Sequence, residues 1–152
     1  HTINQNKDTT MSISPLYTAQ GTATGGRNGR ATVAESGLDL VLAAPPALGG
    51  DGKGSNPEQL FAAGYSACFI GAMQFATTQD ESLAKVPAEV SVTANVGIGP
   101  KPEGGFGLSV ALVVTLPGLD AAQAERIVEA GHKICPYSNA IQGNVEVTTE
   151  VQ

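Results

Sequence analysis

Residues 56–78 read NPEQLFAAGYSACFIGAMQFATT, and their reading decides the fold. Asn56 is a good N-cap, its side-chain oxygen free to accept from a backbone N–H of the first turn. Pro57 suits the first helical position, where a missing N–H costs nothing, and Glu58 and Gln59 suit the positive end of the helix dipole. After Glu58 the run carries no charge, and apolar residues fill every face. That pattern predicts a helix buried all round rather than a surface helix with one apolar stripe. Gly64, Ala67, Gly71 and Ala72 would let a neighbour approach closely. A domain of 152 residues does not easily bury so long a helix on all sides, so a homodimer is expected.

On the C-terminal side, Val90, Val92, Ala94 and Val96 alternate after Pro87 and predict a strand. The loop GPKPEGG, residues 99–105, turns the chain back into an apolar strand from Phe106 to Leu116, expected to be central because so little of it is polar. Asp120 caps a second helix from Ala121 to about Lys133, with Ala124, Ile127, Val128 and Gly131 at helical spacing. Cys135-Pro136 ends it, PYSNAI adds one further turn, and Val145 to Val151 is a last alternating strand. On the N-terminal side, Leu16 to Gly25 alternates loosely as a strand. GGRNGR (residues 25–30) is a turn with Asn28-Gly29 as a hairpin signal, Ala31 to Glu35 returns, and Leu38, Leu40 and Leu42 mark a third strand. APPALGGDGKGS, residues 44–55, is a long loop of the kind that often carries function. The order βββ-α-ββ-α-β is an α+β layout with antiparallel hairpins around two core helices. A single domain over 16–152 and a flexible polar extension over 1–15 are expected, with Met11 a candidate natural start.

Composition narrows the function. The net charge is −6, and the eight cations are scattered, with only Arg27 and Arg30 close together. No basic stripe exists for a phosphate backbone, so nucleic-acid binding is not expected. Two cysteines are too few for a secreted disulfide framework. No apolar run is expected to reach the ~20 residues of a membrane span. The opening HTINQNKDTT is polar and unlike a signal peptide. A cytoplasmic protein without membrane contact is the expectation, and there thiols stay reduced unless they have a task.

Four side chains are candidates for chemistry. Cys68 sits mid-helix, where a thiol is ordinarily an inert small hydrophobe. Tyr65, Gly64 and Phe61 share its face and Glu58 lies near it, so any activating positive charge must come from elsewhere in the chain. Cys135 either ends a helix before Pro136 or opens the short turn after it, where the dipole favours thiolate. Arg27, at the tip of a glycine-rich hairpin, is either a solvated turn residue or a cation for Cys68. Glu58 is either a dipole complement or the carboxylate that holds Arg27 bidentately. His1 and His132 are too few and too isolated for zinc. His132 reads as a surface residue of the last helical turn, with a base for a cysteine nucleophile as the alternative. No cofactor is implied. A carrier of small hydrophobic ligands, a disulfide reductase and a cysteine hydrolase all remain open on these residues alone.

The motifs themselves go further. NPEQLFAAGYSACFIGAM (Asn56–Met73) and CPYSNAIQGNVEV (Cys135–Val147) resemble the two signature segments of the organic hydroperoxide resistance (Ohr) proteins within the Ohr/OsmC family, and ATGGRNGR (Ala23–Arg30) resembles that family's N-terminal arginine motif. The similarity runs from about Leu16 to the C-terminus. It implies an OsmC-like fold in which antiparallel sheets of two intertwined subunits wrap central helices, with sites at the subunit interface. It maps the peroxidatic cysteine onto Cys68, the resolving cysteine onto Cys135, the catalytic arginine onto Arg27 and its glutamate partner onto Glu58. It implies a thiol peroxidase of bacterial cytoplasm that reduces alkyl and lipid hydroperoxides through a Cys68 sulfenic acid and a Cys68–Cys135 disulfide. The disulfide would be re-reduced by a dithiol such as the dihydrolipoyl group of a lipoylated protein.

Overall fold

The computed structural model describes residues 12–152. The first eleven residues, and with them most of the expected extension, lie outside the described residues. The strands form two three-stranded sheets, and the helices pack on the C-terminal one. The N-terminal sheet is an antiparallel meander of β1 (Thr22–Thr24), β2 (Arg30–Val33) and β3 (Leu38–Val41). The C-terminal sheet contains β4 (Ser91–Pro100), β5 (Phe106–Thr115) and β6 (Val147–Val151) in the order β4-β5-β6, so the apolar β5 is central as expected. The helices are α1 (Pro57–Gln79), α2 (Ala121–Ile134) and α3 (Pro136–Ile141).

The core forms where the apolar periods of these elements meet. Every second residue of β5, Val110, Leu112 and Val114, points inward and is buried, opposite Val96, Ala94 and Val92 of β4. Onto that face pack Tyr65, Phe69 and Met73 of α1 and Ala124, Ile127 and Val128 of α2. At the α1–α2 crossing a side chain on Gly131 would press on Met73 Cγ at 2.8 Å and Phe69 Cζ at 3.2 Å, so its smallness sets how closely the two helices approach.

Four sequence expectations need correction. The strand over Leu16–Gly25 shrinks to Thr22–Thr24, because β2 offers ladder partners only to those residues. Leu16 is left fully exposed at 106%. The sheets are not wholly antiparallel, since β6 runs parallel to β5 after the chain crosses over through α2 and α3. α1 is not buried all round within one chain. Tyr65, Phe69, Ala72, Met73 and Ala76 are buried, but Leu60 and Phe75 stand open at 37% and 53%. Finally, α1 does have the length and composition of a bilayer-crossing segment, because Gly, Ser and Thr dilute its apolar run without adding charge. Its Tyr65–Phe69–Met73 face is instead the centre of the protein core.

Candidate active site

The site is assembled along α1, whose start is fixed by a reciprocal capping box. Asn56 Oδ1 accepts from Gln59 N at 2.9 Å, and Gln59 Oε1 accepts from Asn56 N at 3.1 Å. This holds Glu58 in the first turn, facing the β1–β2 hairpin. That hairpin turns through Gly25 and Gly26, both at positive φ (71° and 65°), and a short 3-10 turn over Gly26–Asn28. The Asn28-Gly29 hairpin signal thus works differently from expectation: Asn28 Oδ1 accepts from Ala44 N at 3.1 Å and pins the turn to the long loop. Gly29 packs its Cα against the Thr24 carbonyl, where no side chain fits.

Arg27 projects from this turn and binds Glu58 as a fork. Its Nη1 donates to Oε2 at 2.8 Å and its Nη2 to Oε1 at 2.6 Å. The carboxylate is mostly shielded (12% exposed) and the guanidinium less so (40%). Arg27's hydrogen bonds hold the Glu58 carboxyl below its ordinary value, and Glu58 in turn raises the guanidinium's. The pair lines a cavity of about 340 Å³ together with Pro57, Phe61, Ile98, Phe106, Gly107 and Leu108. One ion pair in an otherwise apolar groove suits a ligand with an oxygen-bearing head and a hydrocarbon body.

Three turns along the same helix lies Cys68. It is half-buried, and its Sγ is 3.6 Å from Sγ of the fully buried Cys135, with both thiols free. Residues 67 positions apart in sequence are therefore adjacent in space. Cys135 is placed by the corner between α2 and α3. Its N–H donates to Gly131 O at 2.8 Å to close α2, and its own extended conformation opens α3. Burial pushes the Cys68 thiol above its ordinary 9.0 and the contact with Cys135 adds to this, while the Tyr137 backbone N–H at the start of α3 pulls the other way.

Between the ion pair and the sulfurs stands an aromatic cluster. Phe61 meets Tyr65 edge-on at 6.0 Å and Tyr137 at 5.7 Å, and Tyr65 meets Tyr137 at 5.8 Å. Phe61 also lines the groove, so it joins the two halves. All four residues expected from the sequence fall along one side of α1, as two pairs: Arg27 with Glu58, and Cys68 with Cys135. The guanidinium is engaged by Glu58 rather than by the sulfur.

The sequence places Tyr65 and Phe61 on the face of Cys68 but gives no sign of how they, Tyr137, Ser138 and His132 pack around these pairs. Tyr65 is buried with its hydroxyl 2.6 Å from Ser138 Oγ. His132, expected on the surface, is half-buried between two hydroxyls and the Phe69 ring. Tyr65 lies three residues before Cys68, and Tyr137-Ser138 follow Cys135 by two and three, so proximity to the cysteines was the available signal.

This fold is that of the OsmC-like proteins, and the model of that family matches residues 50–150. The chain belongs to the Ohr/OsmC family. It is 54% identical over 134 residues to the organic hydroperoxide resistance protein of Xanthomonas axonopodis pv. citri (strain 306), covering 88% of this chain and 92% of that one. Among solved structures it resembles an organic hydroperoxide resistance protein OsmC from Legionella pneumophila, with a TM-score of 0.84 at 45% identity, covering 91% of this chain and 99% of that one. It also resembles OhrB of Bacillus subtilis, with a TM-score of 0.80 at 39% identity, covering 91% and 100%. Such kinship is consistent with hydroperoxide detoxification.

Proposed function

We propose that this protein is a cysteine-based peroxidase that reduces organic hydroperoxides to alcohols. The observation that carries the reading is the 3.6 Å approach of two reduced sulfurs, one of them on the helix that also carries the arginine-paired Glu58 and the groove residue Phe61. In the first step the Cys68 thiolate attacks the outer peroxide oxygen. The O–O bond breaks, the alkoxide takes a proton and leaves as alcohol, and Cys68 becomes a sulfenic acid. In the second, Cys135 attacks that sulfur, the S–O bond breaks, and the hydroxide leaves as water with the Cys135 proton. The sulfurs must close from 3.6 Å to about 2.0 Å, a movement within the reach of side-chain rotation. A dithiol then reduces the disulfide by exchange and is itself oxidised. Dihydrolipoyl groups are the proposed class, and bacterial cytoplasm the proposed setting.

Arg27, oriented by Glu58, supplies the positive charge that favours the Cys68 thiolate and receives the peroxide oxygens. The apolar groove favours hydrocarbon-bearing peroxides, since each buried methylene contributes roughly 0.8 kcal/mol. The active unit is a homodimer, in which a second copy covers the open side of α1.

Intact mass after one equivalent of cumene hydroperoxide tests the chemistry. The wild type should lose two hydrogens, Cys135→Ser should gain one oxygen, and Cys68→Ser should consume no peroxide. Peroxide consumption by Cys68→Ser at the wild-type rate would sink the reading.

A further inference from the structure

His132 has no part in the chemistry above, yet it is the most connected polar side chain near the sulfurs. It lies three residues before Cys135 on α2, and Ser138 lies three residues after it on α3. The imidazole spans that corner, with Nδ1 2.9 Å from Ser138 Oγ. Its Nε2 is 2.8 Å from Thr149 Oγ1 on β6, and Ser138 Oγ is in turn 2.6 Å from Tyr65 Oη on α1. The Phe69 ring packs against it with centroids 4.6 Å apart.

Burial holds this histidine below its ordinary 6.5, so the ring is neutral at neutral pH, with one donor and one acceptor nitrogen. A single ordering then satisfies the whole chain: Tyr65 O–H donates to Ser138, Ser138 O–H to Nδ1, and Nε2–H to Thr149. The reversed ordering would leave the hydroxyl proton of the buried Tyr65 without an acceptor among the described residues. Four elements are thus tied together around the residue that must move when the disulfide forms. The other side-chain bond across the corner, from Asn139 Nδ2 to Lys133 O at 3.2 Å, is exposed, so water competes for it. The Tyr65–Ser138 end of the chain is buried, so an unsatisfied hydroxyl there has less recourse to water.

We propose that His132 is a positioning residue for the resolving thiol: its bond to Ser138 clasps the α2–α3 corner and keeps Cys135 Sγ aimed at Cys68. The inference rests on the peroxidase reading. The step it serves is the second one, in which the S–S bond forms as the Cys68 S–O bond breaks and water departs with the Cys135 proton. No hydrogen bond of the chain reaches Cys68 or the groove, so loosening the clasp bears first on Cys135.

Rapid mixing of the reduced protein with one equivalent of cumene hydroperoxide, quenched into a sulfenic-acid trap and read by intact mass, separates the two steps. In His132→Leu and Ser138→Ala, sulfenic acid formation should stay within about twofold of wild type, while disulfide formation slows at least about tenfold, the scale expected of a misaligned reacting pair. His132→Asn, which restores a polar group near the Nδ1 position, should recover much of the second rate. Ser138→Ala decides the matter if His132→Leu does not fold. Unchanged disulfide formation, or equal slowing of both steps, overturns the proposal. A wild type that forms a sulfenic acid but never a Cys68–Cys135 disulfide overturns it by removing the step it serves. A wild type inert to peroxide removes the peroxidase reading as well.

Discussion

A thiol among apolar side chains is a weak nucleophile, because burial disfavours the thiolate that attacks. Cys68 is in that position, and the Tyr137 N–H offsets only part of the effect. The proposed peroxidase therefore depends on a cation, and Arg27 is the one whose placement is controlled, by a fork to a shielded carboxylate. Arg27→Ala should slow peroxide reduction at neutral pH by roughly tenfold or more, the scale of a cation brought against the thiolate in the proposed peroxide complex. Stopped-flow consumption of cumene hydroperoxide measures this, and an unchanged rate would remove Arg27 from the site. At this scale the sequence was informative wherever a motif was long. GGRNGR, NPEQ and CPYSNA each held a side chain of the candidate site, and with Cys68 the structure joins them in two pairs. His132 was misread because its neighbours Glu129 and Lys133 are solvent-facing and its burial comes from β6 and Phe69, which are remote in sequence or hidden on another helix.

The element that orders these residues is α1, and its first turn is the point of control. The Asn56–Gln59 box satisfies orphan donors and sets the direction in which Glu58 faces the hairpin. Asn56 is itself buried, so its loss leaves donors without water to replace it. Asn56→Ala should cost about 1–2 kcal/mol of stability, the upper part of the usual capping range, measurable as a lower urea midpoint at unchanged slope. This cap, the Asp120 cap of α2 and the β4–β5 hairpin were all legible, because each is written in adjacent residues. The direction of β6 was not. An alternating run states which face is buried but not which way its neighbour runs, and only the crossover through α2 and α3 makes the pairing parallel. The overlong first strand failed for a related reason: alternation predicts a strand, but a ladder also needs a partner, and β2 pairs only with Thr22–Thr24.

At the scale of the whole molecule, the open side of α1 is the feature a single chain leaves unresolved. Leu60, Ala63, Ala67, Gly71, Phe75 and Thr78 are exposed at three- and four-residue spacing, which lines them up along one side of the helix. The small residues at 63, 67 and 71 leave room for another helix at close range, and charge is absent from the stripe. Water against so much uncharged surface is unfavourable, and a second α1 would remove it. Light scattering should therefore give about twice the 15.4 kDa chain mass. Ala67 is mid-stripe and points away from the Tyr65–Phe69–Met73 core, so Ala67→Glu should leave each chain folded while burying an unpaired charge at the seam. That variant should scatter as a single chain at concentrations where the wild type is paired, with far-UV circular dichroism retained. A wild type of single-chain mass would show that α1 tolerates its open side. A fully paired Ala67→Glu would place the seam elsewhere on the molecule.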